Sequence, residues 1–199
     1  MNTNASRALR GPVSWAITAA LLAVGGVVVA LTPAENAGEE PFAVVVEIGE
    51  RGVGRNIDVT VHDVRRVREL SEPPDDASFL PGTPWTATGN WVVVDLDAAA
   101  VIQQAGAQLS GAFLEIDGRT YQATERPESL YRLPLVPGVP RSGSVAFELP
   151  DGLSPGRAVL AFSATWDPRV DSQIRVSIDL SDVAVQDSGV LRPNEWATP

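Results

Sequence analysis

The chain has 199 residues, no cysteine and a formal net charge of −10. The lack of cysteine excludes disulfides, thiolate nucleophiles and thiolate metal sites, and the acidic balance argues against a nucleic-acid surface, which needs clustered basic residues. Every basic residue is arginine. This bias, together with abundant alanine, valine and glycine, is typical of a GC-rich bacterial genome.

The first predicted element is an apolar helix over residues 13–32, which carry no charge. At about 1.5 Å per residue, such a helix spans the roughly 30 Å hydrocarbon core of a bilayer. The apolar region of a cleaved signal peptide is shorter, about 7–15 residues. The sequence therefore predicts a retained signal-anchor. Cleavage after residues 28–30 or 32–34 is the alternative.

Charges beside the helix predict its direction. Arg7 and Arg10 precede it, and Glu35, Glu39 and Glu40 follow it. Positive flanks stay in the cytoplasm. We therefore expect residues 1–12 to be cytoplasmic, the helix to cross the cytoplasmic membrane once, and a linker at 33–41 to lead to an extracellular domain.

Residues 42–182 alternate short β-rich runs with Gly, Pro and Asp. Strands are predicted at 42–48, 56–64, 90–98, 111–125 as a hairpin, 143–150, 157–166 and 173–180. Only residues 97–109 have a helix-forming composition. Seven or eight strands at this spacing predict an all-β, antiparallel immunoglobulin-like β-sandwich. The tail, residues 183–199, is either a last edge segment packed on the domain or a flexible arm.

Alternation within residues 90–98 assigns side chains to the two faces of that strand. It predicts that Val92, Val94 and Leu96 face the core, and that the other face carries Trp91, Val93, Asp95 and Asp97. The same pattern in residues 56–64 places His62 on an outward face.

Several segments together resemble a known family. They are "VTVHDVRRVRE", "GNWVVVDLDA", "LEIDGRTYQA" and "LVPGVPRSGSVAFELP". In this pattern the chain resembles the DUF4352 / telokin-like (MPT63-like) group of Gram-positive bacteria. The resemblance implies an immunoglobulin-like domain of a secreted or membrane-anchored protein, and it implies no agreed activity. The family often has a polar turn after the central strand, whereas here Asp97 runs into "AAAVIQQAGAQ".

No residue set predicts catalysis, a cofactor or a metal site. A Ser–His–Asp arrangement would require His62 to meet Asp58 or Asp63 and a serine, and no G-x-S-x-G elbow is present. We interpret His62 as a strand surface residue. Asp95 and Asp97 are interpreted as a solvated pair, and the run Arg65, Arg66 and Arg68 as a strand edge rather than an anion site. The loop aspartates form no calcium ladder.

The long loop 71–89 is the predicted recognition site, because long loops on a rigid scaffold often carry function. Its candidate residues are Trp85, Asp75, Asp76 and Phe79. Trp85 either pins the loop by packing or anchors a contact, and Trp166 is assigned to the core. The predicted function is a non-enzymatic membrane-anchored binding or accessory module that contacts another envelope or membrane protein. The alternative is a sensor or transporter accessory domain that binds a small ligand or calcium.

Overall fold

The computed structural model describes residues 10–32, 38–74, 84–102, 107–153 and 156–197. The chain divides into two units, Met1–Glu39 and Glu40–Pro199. In the first unit, helix α1 covers Arg10–Leu31. Its stretch Val13–Leu31 is long and apolar enough to cross a membrane. The predicted N-terminal apolar helix is thus confirmed.

The second unit is a β-sandwich. Its described residues form eleven strands: β1 (Phe42–Val46), β2 (Arg51–Val53), β3 (Ile57–Ser71), β4 (Trp85–Ala100), β5 (Gly111–Ile116), β6 (Arg119–Gln122), β7 (Arg141–Leu149), β8 (Arg157–Ser163), β9 (Ser172–Asp179), β10 (Val185–Val190) and β11 (Glu195–Trp196). A short 3₁₀ helix, Leu180–Asp182, follows β9. The predicted all-β class is confirmed.

The strands form two sheets. Sheet A has the order β1-β9-β8-β5-β6, and sheet B has the order β10-β3-β4-β7-β11, with β2 also paired to β3. The central pairs are antiparallel, as predicted. At two edges the prediction is corrected, because β1 pairs with β9 and β10 pairs with β3 in parallel. Side-chain alternation specifies which face is buried but not the direction of a neighbouring strand.

The main core lies between the two sheets. Val92, Val94 and Leu96 are buried in it, as the alternation predicted. Opposite them, sheet A contributes alternate residues of β9, of which Ile174 and Val176 are fully buried. Alternation with period two therefore assigned the inner face of both sheets correctly.

A second, smaller cluster lies on the other face of sheet B. Trp91 and Val93 are fully buried there, packed with Leu191 from the C-terminal segment. This outer cluster, as we call it, comprises Val67, Leu70, Trp91, Val93, Ala146 and Leu191. The C-terminal segment is therefore a packed edge segment rather than a flexible arm, and the folded unit extends past the predicted boundary at residue 182 to β11.

One local prediction was wrong, because Trp166 is not core: it is 61% exposed. The segment 97–109, despite its helix-forming composition, begins as an extension of strand β4 through Ala100, and the three alanines 98–100 are buried. Packing there overrides the helix propensity of alanine.

The sandwich has two distinct ends. Asn56 Nδ2 donates to Asp171 Oδ2 at 2.6 Å, which joins the start of β3 to the start of β9. Phe42, the first residue of β1, is paired with Ser172 at the same end. We call this the entry end. It comprises Phe42, Val53 at the end of β2, and the described loop residues 54–56, 101–102, 134–140 and 164–171. The opposite, far end comprises the residues 117–118, 150–153 and 180–184.

Candidate functional site

β3 and β4 form a long ribbon whose tip is bonded to the segments at Glu128 and Leu191. These two strands, of 15 and 16 residues, pair from Ile57 opposite Ala100 to Leu70 opposite Trp85. The predicted loop 71–89 is therefore corrected at its C-terminal side, since residues 85–89 belong to β4. The predicted recognition residues Asp75, Asp76 and Phe79 lie outside the described residues.

The ribbon contains an irregularity just before its tip. Between the pairs Val67–Trp91 and Glu69–Thr86, β4 accommodates extra residues opposite β3. The indole Nε1 of Trp91 donates to the carbonyl oxygen of Trp85 at 3.0 Å, which spans the irregular stretch. A β-bulge of this kind re-aims side chains and is common near functional sites. Here it directs Trp85 to the tip while Trp91 stays buried.

Glycine is required inside this bulge. A Cβ added at Gly89 would lie 2.6 Å from the carbonyl oxygen of Leu149 and from backbone atoms of Pro150. Real Cβ atoms do not approach backbone so closely. The absence of a side chain therefore lets β4 cross directly beside the end of β7, and the bulge is fixed by backbone packing.

The tip is held on both sides. The backbone N–H of Leu191 donates to the carbonyl of Ser71 at 2.9 Å. The backbone N–H of Glu128 donates to Glu72 Oε1 at 2.8 Å. Below the tip lies the outer cluster, which is buried. Trp85 itself is 37% exposed, so the structure presents a half-exposed indole from an anchored base.

The far end of the sandwich is acidic. Its turns carry Asp117, Asp151, Asp179 and Asp182. At Asp179, the hydroxyl and the backbone N–H of Ser181 both donate to Oδ1, and these hydrogen bonds hold the pKa of Asp179 below its ordinary value. This carboxylate is therefore ionised well into the acidic range. The far end thus carries negative charge.

Asp95 is engaged rather than solvated, which corrects its predicted role. Arg65 Nη2 donates to its two carboxylate oxygens at 2.8 and 2.9 Å. The hydroxyl of Ser144 donates to Asp95 Oδ1 at 2.6 Å and accepts the backbone N–H of Arg192 at 2.7 Å. Asp95 therefore ties three strands of sheet B to the C-terminal segment, which is a structural role.

His62 and Asp97 form the neighbouring pair. Nε2 of His62 lies 2.8 Å from Asp97 Oδ2, and the hydroxyl of Ser142 donates to Asp97 Oδ1 at 2.6 Å. Burial opposes ionisation of Asp97, but the hydrogen bonds from Ser142 and His62 and the nearby positive charges outweigh it and lower its pKa. The carboxylate lies between the serine and the histidine. The hydroxyl of Ser142 therefore does not contact the imidazole that would act as its general base, and it is not activated as a nucleophile.

The acids considered as partners for His62 lie elsewhere. Asp58 accepts the Nε of Arg51 at 2.9 and 3.1 Å. Asp63 is 3.6 Å from Arg65. Within the described part of the chain, no three histidine or carboxylate side chains converge as metal ligands would.

The arginine run is largely occupied by internal contacts. Arg66 is buried, and its Nη1 donates to the carbonyl oxygens of Leu180 and Val183 at 3.2 Å each. Burial lowers the pKa of Arg66. Arg65 is bound to Asp95, and only Arg68 extends to solvent, 3.8 Å from the exposed Asp187. The run therefore presents no converging anion site.

Sequence reasoning missed the outer cluster. Its signal was present in the alternation of residues 90–98, which put Trp91 and Val93 on the face opposite the core. Two large apolar side chains on a face that was expected to be solvated indicate that another segment of the chain packs over them. Leu191, in the tail whose role was left open, supplies it.

No family model and no curated protein match the chain. A solved structure from Clostridium difficile 630, described as an uncharacterized beta-sandwich protein, is similar at 15% identity with a TM-score of 0.46. The matched region covers 71% of this chain and 96% of the Clostridium difficile chain. The structure of this chain is an all-β sandwich with one N-terminal helix.

Proposed function

We propose that the protein is a non-enzymatic, membrane-anchored binding module displayed outside the cytoplasmic membrane. Its apolar helix supplies the anchor, and the arginines before and glutamates after that helix support an outward-facing sandwich. The resemblance to the DUF4352 / telokin-like group remains a prediction and agrees with this location.

The observation that carries the proposal is the anchored tip of the β3–β4 ribbon. Trp85 is half-exposed there, and its base is fixed by the outer cluster and by Gly89. Tryptophan is enriched among residues that dominate binding energy, and a rigid base lowers the entropy lost on binding.

The chemistry of the tip defines the partner. A half-exposed indole on an anchored base fits a protein surface that offers an apolar pocket. Because the module is tethered to the bilayer, a partner in the same membrane or in the adjoining envelope meets it at a raised effective concentration. We therefore propose an envelope or membrane protein as the partner.

Cross-linking in intact cells tests this function. Full-length protein is compared with Trp85→Ala and with a version whose residues 72–84 are replaced by a Gly/Ser linker. Trp166→Ala is the matched control, because it removes an exposed tryptophan that lies outside the tip. Capture of one specific envelope protein by the native chain and by Trp166→Ala, but not by the other two, supports the proposal. Equal capture by all four, or capture by none, contradicts it.

A further inference from the structure

The two ends of the sandwich differ in chemistry. Apolar side chains are exposed at the entry end: Phe42, Val53, Val101, Ile102, Val136, Val139, Trp166 and Val170. Phe42 is 67% exposed, Trp166 61% and Val170 57%. At the far end, the turns carry aspartates. The apolar exposure is therefore concentrated at the end where the chain arrives from the helix.

Hydrogen bonds join the entry-end segments into one surface. The backbone N–H of Phe42 donates to the carbonyl of Asp171 at 2.8 Å, and the side chain of Asn56 also bonds Asp171. The N–H of Val101 donates to the carbonyl of Asn56 at 3.1 Å, and the N–H of Gly138 donates to the carbonyl of Ala100 at 3.2 Å. These loops are thus held side by side.

Hydrogen bonds within the loop that carries Trp166 and Val170 fix its conformation. Asp167 accepts the backbone and side-chain N–H groups of Arg169, which lower its pKa, and the hydroxyl of Thr165 donates to the carbonyl of Asp167. Asp171 N–H closes a turn onto the carbonyl of Pro168 at 2.9 Å.

Val170 has a φ of 57°, which is unfavourable for a β-branched residue. The fold thus maintains an exposed valine at a strained position, and such strain is found at functional sites.

We propose that the entry end docks on the lipid surface of the bilayer that holds the N-terminal helix. This proposal rests on the anchored topology proposed above. Ten peptide bonds separate Thr32 from Phe42, and a chain reaches at most about 3.3–3.6 Å per residue. The entry end is therefore confined to within about 35 Å of the end of the helix, and even a weak affinity for lipid is effective over that distance.

The exposed side chains suit this surface. Tryptophan settles at the headgroup level of bilayers, and aliphatic and phenyl side chains enter the adjoining acyl region. The pairing of Asp167 with Arg169 neutralises the charge nearest to Trp166. The acidic far end is unsuited to the same contact, because anionic headgroups repel it.

Depth-dependent quenching tests the docking on the full chain, which has no cysteine of its own. Single-cysteine variants are labelled with an environment-sensitive fluorophore in phosphatidylcholine nanodiscs that hold one protein each. Val170→Cys reports the entry end, Asp151→Cys is the matched exposed site at the far end, and Leu22→Cys reports the helix. Lipids with spin labels near the headgroup serve as quenchers.

We expect several-fold stronger lipid quenching at Val170→Cys than at Asp151→Cys, and a large loss of that quenching when Trp166→Asp is added. Equal, weak quenching at residues 151 and 170 overturns the docking, while strong quenching at Leu22→Cys leaves the anchor standing. Weak quenching at Leu22→Cys overturns both the docking and the anchored topology. Protection at Val170→Cys that appears only in nanodiscs with two copies identifies a second copy of the chain as the occupant and also overturns the proposal.

Discussion

The imidazole Nε2 of His62 on β3 lies 2.8 Å from Oδ2 of Asp97 on β4, so the one histidine of the chain is bound across strands to a carboxylate. Ser142 on β7 donates to the other oxygen of the same carboxylate. This pair therefore joins three neighbouring strands on the outer face of sheet B.

The first prediction concerns acid stability. Asp97 has a folded pKa below its unfolded value of about 3.9. Its contribution to stability is therefore present above about pH 4 and is lost as the pH falls through the folded pKa. Asp97→Asn should lower the free energy of unfolding at pH 7 by about 1 kcal/mol. The free energy of unfolding should also fall less steeply below pH 4 in this variant than in the native chain. Urea titrations at several pH values measure both, with the more exposed Asp63→Asn as control. An unchanged acid profile in Asp97→Asn would contradict this role.

The second prediction concerns the outer cluster. Leu191→Ala removes a fully packed side chain from above Trp91, and such truncations cost about 2–5 kcal/mol. Val190→Ala is the neighbouring control, because Val190 is exposed. Hydrogen exchange should show faster exchange in β10 for Leu191→Ala alone. Equal effects of the two substitutions would show that the C-terminal segment is not a cover.

The third prediction concerns the bulge below Trp85. Gly89→Ala places a Cβ against the backbone of Leu149 and Pro150, and overpacking of this kind costs about 1–3 kcal/mol. Gly156→Ala is the matched control, since nothing lies within 4 Å of its added Cβ. Thermal unfolding compares the two. If Gly89→Ala left the stability unchanged, the backbone of the bulge would be deformable and the tip would lack a rigid base.

The fourth prediction concerns the buried arginine. Arg66→Lys keeps the charge but loses the planar fork that reaches the carbonyls of Leu180 and Val183 and the side chain of Asn90. We expect a loss of about 1.5–3 kcal/mol. Arg68→Lys, at an exposed position on the same strand, should change stability by less than about 0.5 kcal/mol. Similar, small losses in both variants would refute a structural role for Arg66.

Much of the fold was predictable because burial repeats every second residue. Val92, Val94 and Leu96 were placed correctly by that period alone. The pairing of β10 with β3 was not predictable, since Val185–Val190 are mostly exposed and show no alternation. The candidate site was harder to predict than the fold. That Trp85 belongs to a strand, and that Trp166 is outside the core, depends on backbone packing at Gly89 and on the turn at Val170, which no local pattern encodes.

The parallel pairing of β1 with β9 has a consequence for how the domain is made. Phe42 meets Ser172, about 130 residues later in the chain, and contacts this distant in sequence slow folding. The first strand of the sandwich must therefore wait for almost the last one before sheet A gains its edge. Until then, the apolar run Phe42–Val46 is an unpaired strand, and the chain is most vulnerable to proteases and to aggregation during that interval.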